Sequence, residues 1–194
     1  GERRERLAID FDEFSKLALP LKSPLYPVMG NHDVVQQEGN SEFERAYREM
    51  FGDDRVNYTF EQAGVRFVML NNSGATSVAK PVIQARNAWL RSVLEQPSKL
   101  PTIICCHIPI VAVREEAALA KSFGFSSYRA HDDELMKIVD DHASSVVAVL
   151  SGHLHLTGVI ERKGVRHISI AGTASYPSDY ARYTIYANRI ELEV

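Results

Sequence analysis

At 194 residues the chain has room for one domain with a substantial core and too little length for two. A hydrophobic share of 45% and a charged share of 24% match an ordinary globular protein, which argues against disorder or a fibrous repeat. A net charge of −3 offers no clear footprint for a nucleic-acid backbone, and no apolar run approaches the roughly 18 residues of a membrane span.

Residues 2–16 open the chain as a helix, with Leu7, Phe11, Phe14 and Ala18 recurring at helical spacing and a charged back; Pro20 ends it. Residues 25–29 read as a short buried strand running into Gly30, Asn31, His32 and Asp33. A helix over 42–51 presents Phe43, Ala46, Tyr47 and Met50 on one side. Strands over 57–61 and 65–71 are joined at Ala63 and Gly64, and a second amphipathic helix covers 82–95. Residues 102–106 form an apolar strand ending at His107. A long excursion to about Ala130 contains a short helix at 115–121. Residues 132–141 form a better helix, acidic in its first turn as the macrodipole favours. A buried strand at 146–150 leads to Ser151, Gly152 and His153. The tail reads as strands at 156–162, 165–170, 181–187 and 190–194, with turns at Lys163–Gly164 and Asn188.

Cys105 and Cys106 are adjacent within an apolar strand and predict buried thiols, not a disulfide framework. That suits a reducing compartment, so a cytoplasmic location is expected, with export left open. The sequence starts at Gly1 and its first Met is Met29, so a targeting signal cannot be read from this start.

The elements sum to mixed α/β, with one domain spanning residues 1–194. Three buried strands run straight into polar clusters, at Asn31/His32, at His107 and at His153/His155. In open α/β sheets ligand chemistry collects at the carboxyl ends of strands. Residues two apart on an extended segment share a face about 6.5 Å apart, a spacing that suits two neighbouring metals better than one. Neutral imidazole ligates zinc, iron, manganese or nickel. A lone histidine after a strand is usually structural, and Asn-His-Asp alone is a plausible turn. The metal reading rests on all three clusters together.

The set Gly30-Asn31-His32-Asp33, His107-Ile108-Pro109 and Gly152-His153-Leu154-His155 resembles the calcineurin-like metallophosphoesterase superfamily, which includes purple acid phosphatases and bacterial cyclic-nucleotide phosphodiesterases. Asn57-Tyr58-Thr59-Phe60 before Gly64-Val65-Arg66-Phe67, and Gln84 ahead of Trp89-Leu90, extend the likeness, which runs from about Leu25 to the end. The resemblance implies an α/β sandwich of two mixed β-sheets flanked by helices. It implies a phosphoester substrate and two divalent ions (Mn, Fe, Zn or similar), with hydrolysis by a hydroxide bridging them. By position, Asn31, His107 and His153 would bind one ion and His155 the other. His32 would protonate the leaving oxygen or stabilise the phosphoryl group, and Asp33 would orient His32.

The same resemblance calls for two earlier motifs, Asp-x-His and Gly-Asp-x-x-Asp, each on its own strand. Gly52-Asp53-Asp54-Arg55-Val56 and Asp140-Asp141-His142 match neither in order nor in context; they read as a surface turn and a helix terminus. The expectation is therefore a chain lacking its first two core strands, with the missing N-terminal segment or a dimer partner covering the exposed core. Rival readings are a non-catalytic metal-binding or protein-interaction remnant and a single-metal hydrolase built on Asn31, His107 and His153. His131 reads as a helix-start residue and His167 as part of a tail strand. Tyr176-Pro177-Ser178-Asp179 reads as a connecting loop.

Overall fold

The computed structural model describes residues 2–18, 20–34, 44–74, 79–123, 128–173 and 178–194. The elements, in order, are α1 (Glu2–Ala18), α2 (Arg45–Phe51), β1 (Tyr58–Gln62), β2 (Val65–Leu70), α3 (Lys80–Glu95), β3 (Thr102–Cys106), α4 (Glu116–Phe123), α5 (Asp133–Asp141), β4 (Val146–Ser151), β5 (Gly158–Arg162), β6 (Val165–Ser169), β7 (Arg182–Ile185) and β8 (Ile190–Glu193). Phe43, expected on the face of α2, lies outside the described residues.

Six strands form one mixed sheet in the order β1-β2-β3-β4-β6-β5. β2, β3, β4 and β6 run parallel, while β1 and β5 are antiparallel edges folded back through tight turns. Those turns place Ala63, Gly64, Lys163 and Gly164 at positive φ, as two-residue hairpins with right-handed strand twist require. The parallel strands are nearly continuous apolar runs because both their faces are covered. On one face, Val68, Leu70, Ile104 and Val149 pack under Leu90 of α3 and Leu135, Ile138 and Val139 of α5. Each such side chain contributes roughly 1.5–3 kcal/mol when fully buried. On the other face Val65, Ile103 and Ala148 meet Ile185 and Ile190 of the antiparallel β7–β8 hairpin, which forms a second sheet. The expected α/β sandwich with flanking helices is present.

Two helix starts follow from local chemistry. Asp132 caps α5 by accepting the Leu135 N–H at 2.9 Å, and Asp133 and Glu134 sit in the first turn where the dipole favours them. α3 carries a proline in its first turn, where the missing N–H has no helical partner to lose. Successive side chains on β3 alternate between faces, so Cys106 joins the helix-side core while Cys105 packs towards the hairpin. Both thiols are free, and burial pushes each up to about 12.

One expected strand is corrected. Residues 25–29 carry no ladder. The segment is held by side chains instead: Tyr58 Oη donates to the Pro27 carbonyl at 2.8 Å, and Tyr26 stacks on Phe60 with centroids 3.7 Å apart. Pro27 has no N–H to offer a neighbouring strand, and no described strand pairs with the segment. Met29 is nevertheless buried, in a cluster with Val34, Tyr47 and Val56 beneath Phe11 of α1 and Phe51 of α2. α1 is only half seated on it. Phe14 remains 42% exposed and Leu17 78% exposed, and Leu21 and Leu25 beyond the helix are also exposed.

Candidate metal centre

β2, β3 and β4 lie side by side in parallel, with Leu70 opposite Cys106 and Cys105 opposite Leu150, so their carboxyl ends reach one edge of the sheet. Asn71 and Asn72 follow β2, His107 follows β3, and Gly152 and His153 follow β4. The fourth contribution is the turn Gly30–Asp33. There the Asp33 N–H bonds the Gly30 carbonyl at 3.2 Å, and the Asp33 carboxylate accepts the Gly30 N–H at 2.7 Å. Asp33 thus closes its own turn and holds Asn31 and His32 at its crest. Burial raises its pKa, against the opposing Gly30 N–H bond and nearby His32.

Three of the expected ligands converge. Asn31 Oδ1 lies 2.6 Å from His107 Nε2 and 3.2 Å from His153 Nδ1, and the two ring nitrogens are 3.3 Å apart. Donors around one ion with bonds of about 2.0–2.1 Å sit roughly 2.8–3.4 Å from one another. The amide oxygen and two imidazoles therefore have nearly the spacing of one face of a coordination sphere. Burial first, and then the neighbouring His153, His32 and His155 imidazoles, lower the His107 pKa from 6.5 to about 4, so the ring is neutral near pH 7. A neutral ring keeps its lone pair available for a metal.

Gly30 makes room for this approach. A Cβ there would lie 3.2 Å from two ring atoms of His107 and 3.1 Å from Asp33 Oδ2. The two sides of the site are also tied through backbone, since the Gly152 N–H donates to the His107 carbonyl at 3.0 Å.

The segment carrying His153 and His155 differs from the extended geometry expected for it. Both residues adopt left-handed backbone, with φ of 68° and 51°. That conformation costs a non-glycine residue on the order of 1–3 kcal/mol. Leu154 between them is buried against Val113, Leu119 and Tyr128, so the chain pins its middle residue and turns sharply on either side. Tertiary packing thereby overrides the period-two face that spacing alone suggests. His153 is half-buried in the cluster, while His155 is exposed.

Among the described residues no three His, Cys, Asp or Glu side chains gather as a metal-binding group. The converging set is two imidazoles and one amide, which fits part of one divalent-ion site and lacks carboxylates. The sequence decoys stay away, as expected. Asp53 is exposed and pairs with Arg48, and Asp140, at the end of α5, pairs with Arg162 and Lys163. Tyr176 and Pro177 lie outside the described residues.

Sequence reasoning missed Asn71 and Asn72. Asn72, 2% exposed, donates to the Ile108 carbonyl at 2.6 Å and accepts the Ile108 N–H at 2.9 Å. Asn71 bonds Asn57 through its backbone and donates its amide to the buried Glu44 at 3.1 Å. Their signal was available: a polar pair directly after an apolar strand, as at His107. Amides simply stand out less than histidines.

The family model for calcineurin-like phosphoesterases matches residues 4–156, and the chain belongs to that family. A "probable cyclic nucleotide phosphodiesterase" from Rhodococcus erythropolis (strain PR4) is 26% identical over 166 residues, covering 82% of this chain and 52% of that protein. The chain thus spans about half the length of that relative. Among solved structures, a dimetal phosphatase from Danio rerio superposes with a TM-score of 0.70 at 17% identity, over 99% of this chain and 76% of its own. Purple acid phosphatase PPD1 from yellow lupin (Lupinus luteus) gives 0.63 at 15% identity, over 85% and 34%. These two likenesses establish the fold.

Proposed function

We propose that this chain belongs to a metal-dependent phosphoesterase acting on phosphomonoesters or phosphodiesters. The observation that supports this best is the convergence of Asn31 Oδ1, His107 Nε2 and His153 Nδ1 within 3.3 Å. These three would hold one divalent ion, and His155 would contribute to a second. Bound divalent ions supply Lewis-acid polarisation of a phosphoryl oxygen and lower the pKa of the attacking water.

The protein's own residues do the rest. His32, exposed at the crest of its turn, would donate a proton to the leaving oxygen, and Asp33 would fix its placement by closing that turn. A cavity of about 420 Å³ opens beside His32 and Asp33, walled by Phe11, Phe14, Leu25, Pro27 and Tyr47. An apolar wall next to an incomplete ligand set supports a further covering element, an N-terminal segment or a second copy, that would bring carboxylates to the second ion. A cytoplasmic setting would keep Cys105 and Cys106 reduced.

Among the described residues the converging set holds two imidazoles and an amide and no carboxylate, which favours one second reading, a single-ion centre on Asn31, His107 and His153. Metal content and hydrolysis of aryl phosphomonoesters and diesters, with Mn, Fe or Zn supplied, distinguish the two. Two ions per chain with turnover supports the dinuclear enzyme; one ion per chain supports the alternative. Failure of every loaded form to hydrolyse either ester sinks the enzyme reading. His153→Ala should abolish metal retention, and unchanged metal content would refute the ligand assignment.

A further inference from the structure

We propose that Asn72 is the positioning residue for His107, and that it does so by locking one peptide group shared between three strand ends. The inference rests on the metal reading above. The peptide joining His107 to Ile108 is planar, so its orientation sets ψ of His107 and hence the direction in which the imidazole leaves the chain. Both polar groups of that peptide are taken. Its N–H donates to Asn72 Oδ1 at 2.9 Å, and its carbonyl, that of His107, accepts the Gly152 N–H at 3.0 Å.

Asn72 then grips the next peptide as well, donating Nδ2 to the Ile108 carbonyl at 2.6 Å. The two contacts assign the amide unambiguously, because one partner is a donor and the other an acceptor. The carboxyl end of β2 thus holds the loop after β3, and the loop after β4 holds it from the other side. The Gly152 contact also places the residue immediately before His153. A rotation of the His107 peptide would disturb both imidazoles that approach Asn31.

Asn72 is buried and bonds the Ile108 backbone, so it acts on ligand geometry through the main chain. Such supporting partners typically govern metal affinity by 10–100-fold.

The test titrates Co²⁺ into the chain itself, into Asn72→Ala and into Asn87→Ala. Asn87 is a comparably buried amide that bonds Asp132 instead of the His107 loop, and so reports on general loss of a buried hydrogen bond. Asn72→Ala should bind Co²⁺ about 10–100-fold more weakly, with an altered visible spectrum, while Asn87→Ala stays within about twofold of the unmodified chain. A folded Asn72→Ala with unchanged affinity and spectrum overturns the proposal. So does an equal loss in both variants, which would mark the effect as general destabilisation. If the unmodified chain binds no Co²⁺, the metal reading itself fails first. Should Asn72→Ala not fold, Asn72→Ser, which retains one hydrogen-bonding group, takes its place: weaker Co²⁺ binding than in Asn87→Ala supports the proposal, and unchanged binding overturns it.

Discussion

His107 Nε2 lies 2.6 Å from Asn31 Oδ1 although 76 residues separate them along the chain. Asn31 Oδ1 carries lone pairs and His107 Nε2 presents one in the Nδ1–H tautomer, and the structure brings the two atoms together at the edge where the parallel strands end. The contact depends on the missing side chain of Gly30, whose place the His107 ring partly fills.

Gly30→Ala tests that dependence. Its Cβ would press on the His107 ring and on Asp33 Oδ2 at 3.1–3.2 Å, which is tighter than ordinary packing. We expect a destabilisation of about 1–3 kcal/mol together with weakened metal binding. Thermal unfolding and Co²⁺ titration measure the two effects. Wild-type values for both would show that the turn has slack.

Leu154 links the histidine segment to the core. Leu154→Ala removes a side chain buried among Val113, Leu119 and Tyr128 and should cost about 2–5 kcal/mol. The same change frees the residue between two left-handed positions, so metal affinity should fall too. Denaturant melts with and without Zn²⁺ would reveal it: a variant whose stability drops while metal still stabilises it as in the parent contradicts the coupling.

His167 should make the fold acid-sensitive. It is 3% exposed in β6, and among the described residues neither ring nitrogen has a hydrogen-bond partner. Burial lowers it from 6.5 to about 4; Asp140 of α5 opposes the shift and Arg162 of β5 adds to it. As pH falls through 6.5 the unfolded chain takes up a proton that the native chain refuses until about 4. Stability is therefore lost across that window, by up to roughly 3 kcal/mol, and levels off below it. His107 adds a similar loss in the metal-free chain, so the readout is a difference. His167→Leu should lose less stability between neutral pH and about pH 5 than the parent does, and equal losses would remove His167 from the account.

Arg86 and Asp132 form a second buried test case. Arg86 is 3% exposed, pairs with Asp132, and has Nε and Nη1 unsatisfied among the described residues. Asp132→Ala would strand that guanidinium and remove the cap of α5, for a loss of about 3–5 kcal/mol. Arg86→Met leaves Asp132 bonded to Leu135 and Asn87 and should cost less. Urea midpoints that reverse this order would refute the argument.

Much of the fold was legible because its signals are local. Alternation and apolar runs located β2, β3 and β4, the acidic first turn located α5, and the polar residues just after apolar runs located Asn31, His107 and His153. These patterns depend on the chain's own periodicity and need no partner. The segment 25–29 shows the limit. Its apolar character is local and its burial at Met29 follows, but a ladder requires a neighbour that sequence pattern cannot supply.

By itself, then, the sequence determined that Asn31, His107 and His153 each follow an apolar run, because residue type and periodicity are local properties. Tertiary structure decided how they meet. It put His153 and His155 in left-handed backbone by burying Leu154, and it brought Asn72 across to grip the loop of His107. The reason is physical: a backbone conformation that costs energy locally persists only when contacts distant in sequence hold it in place.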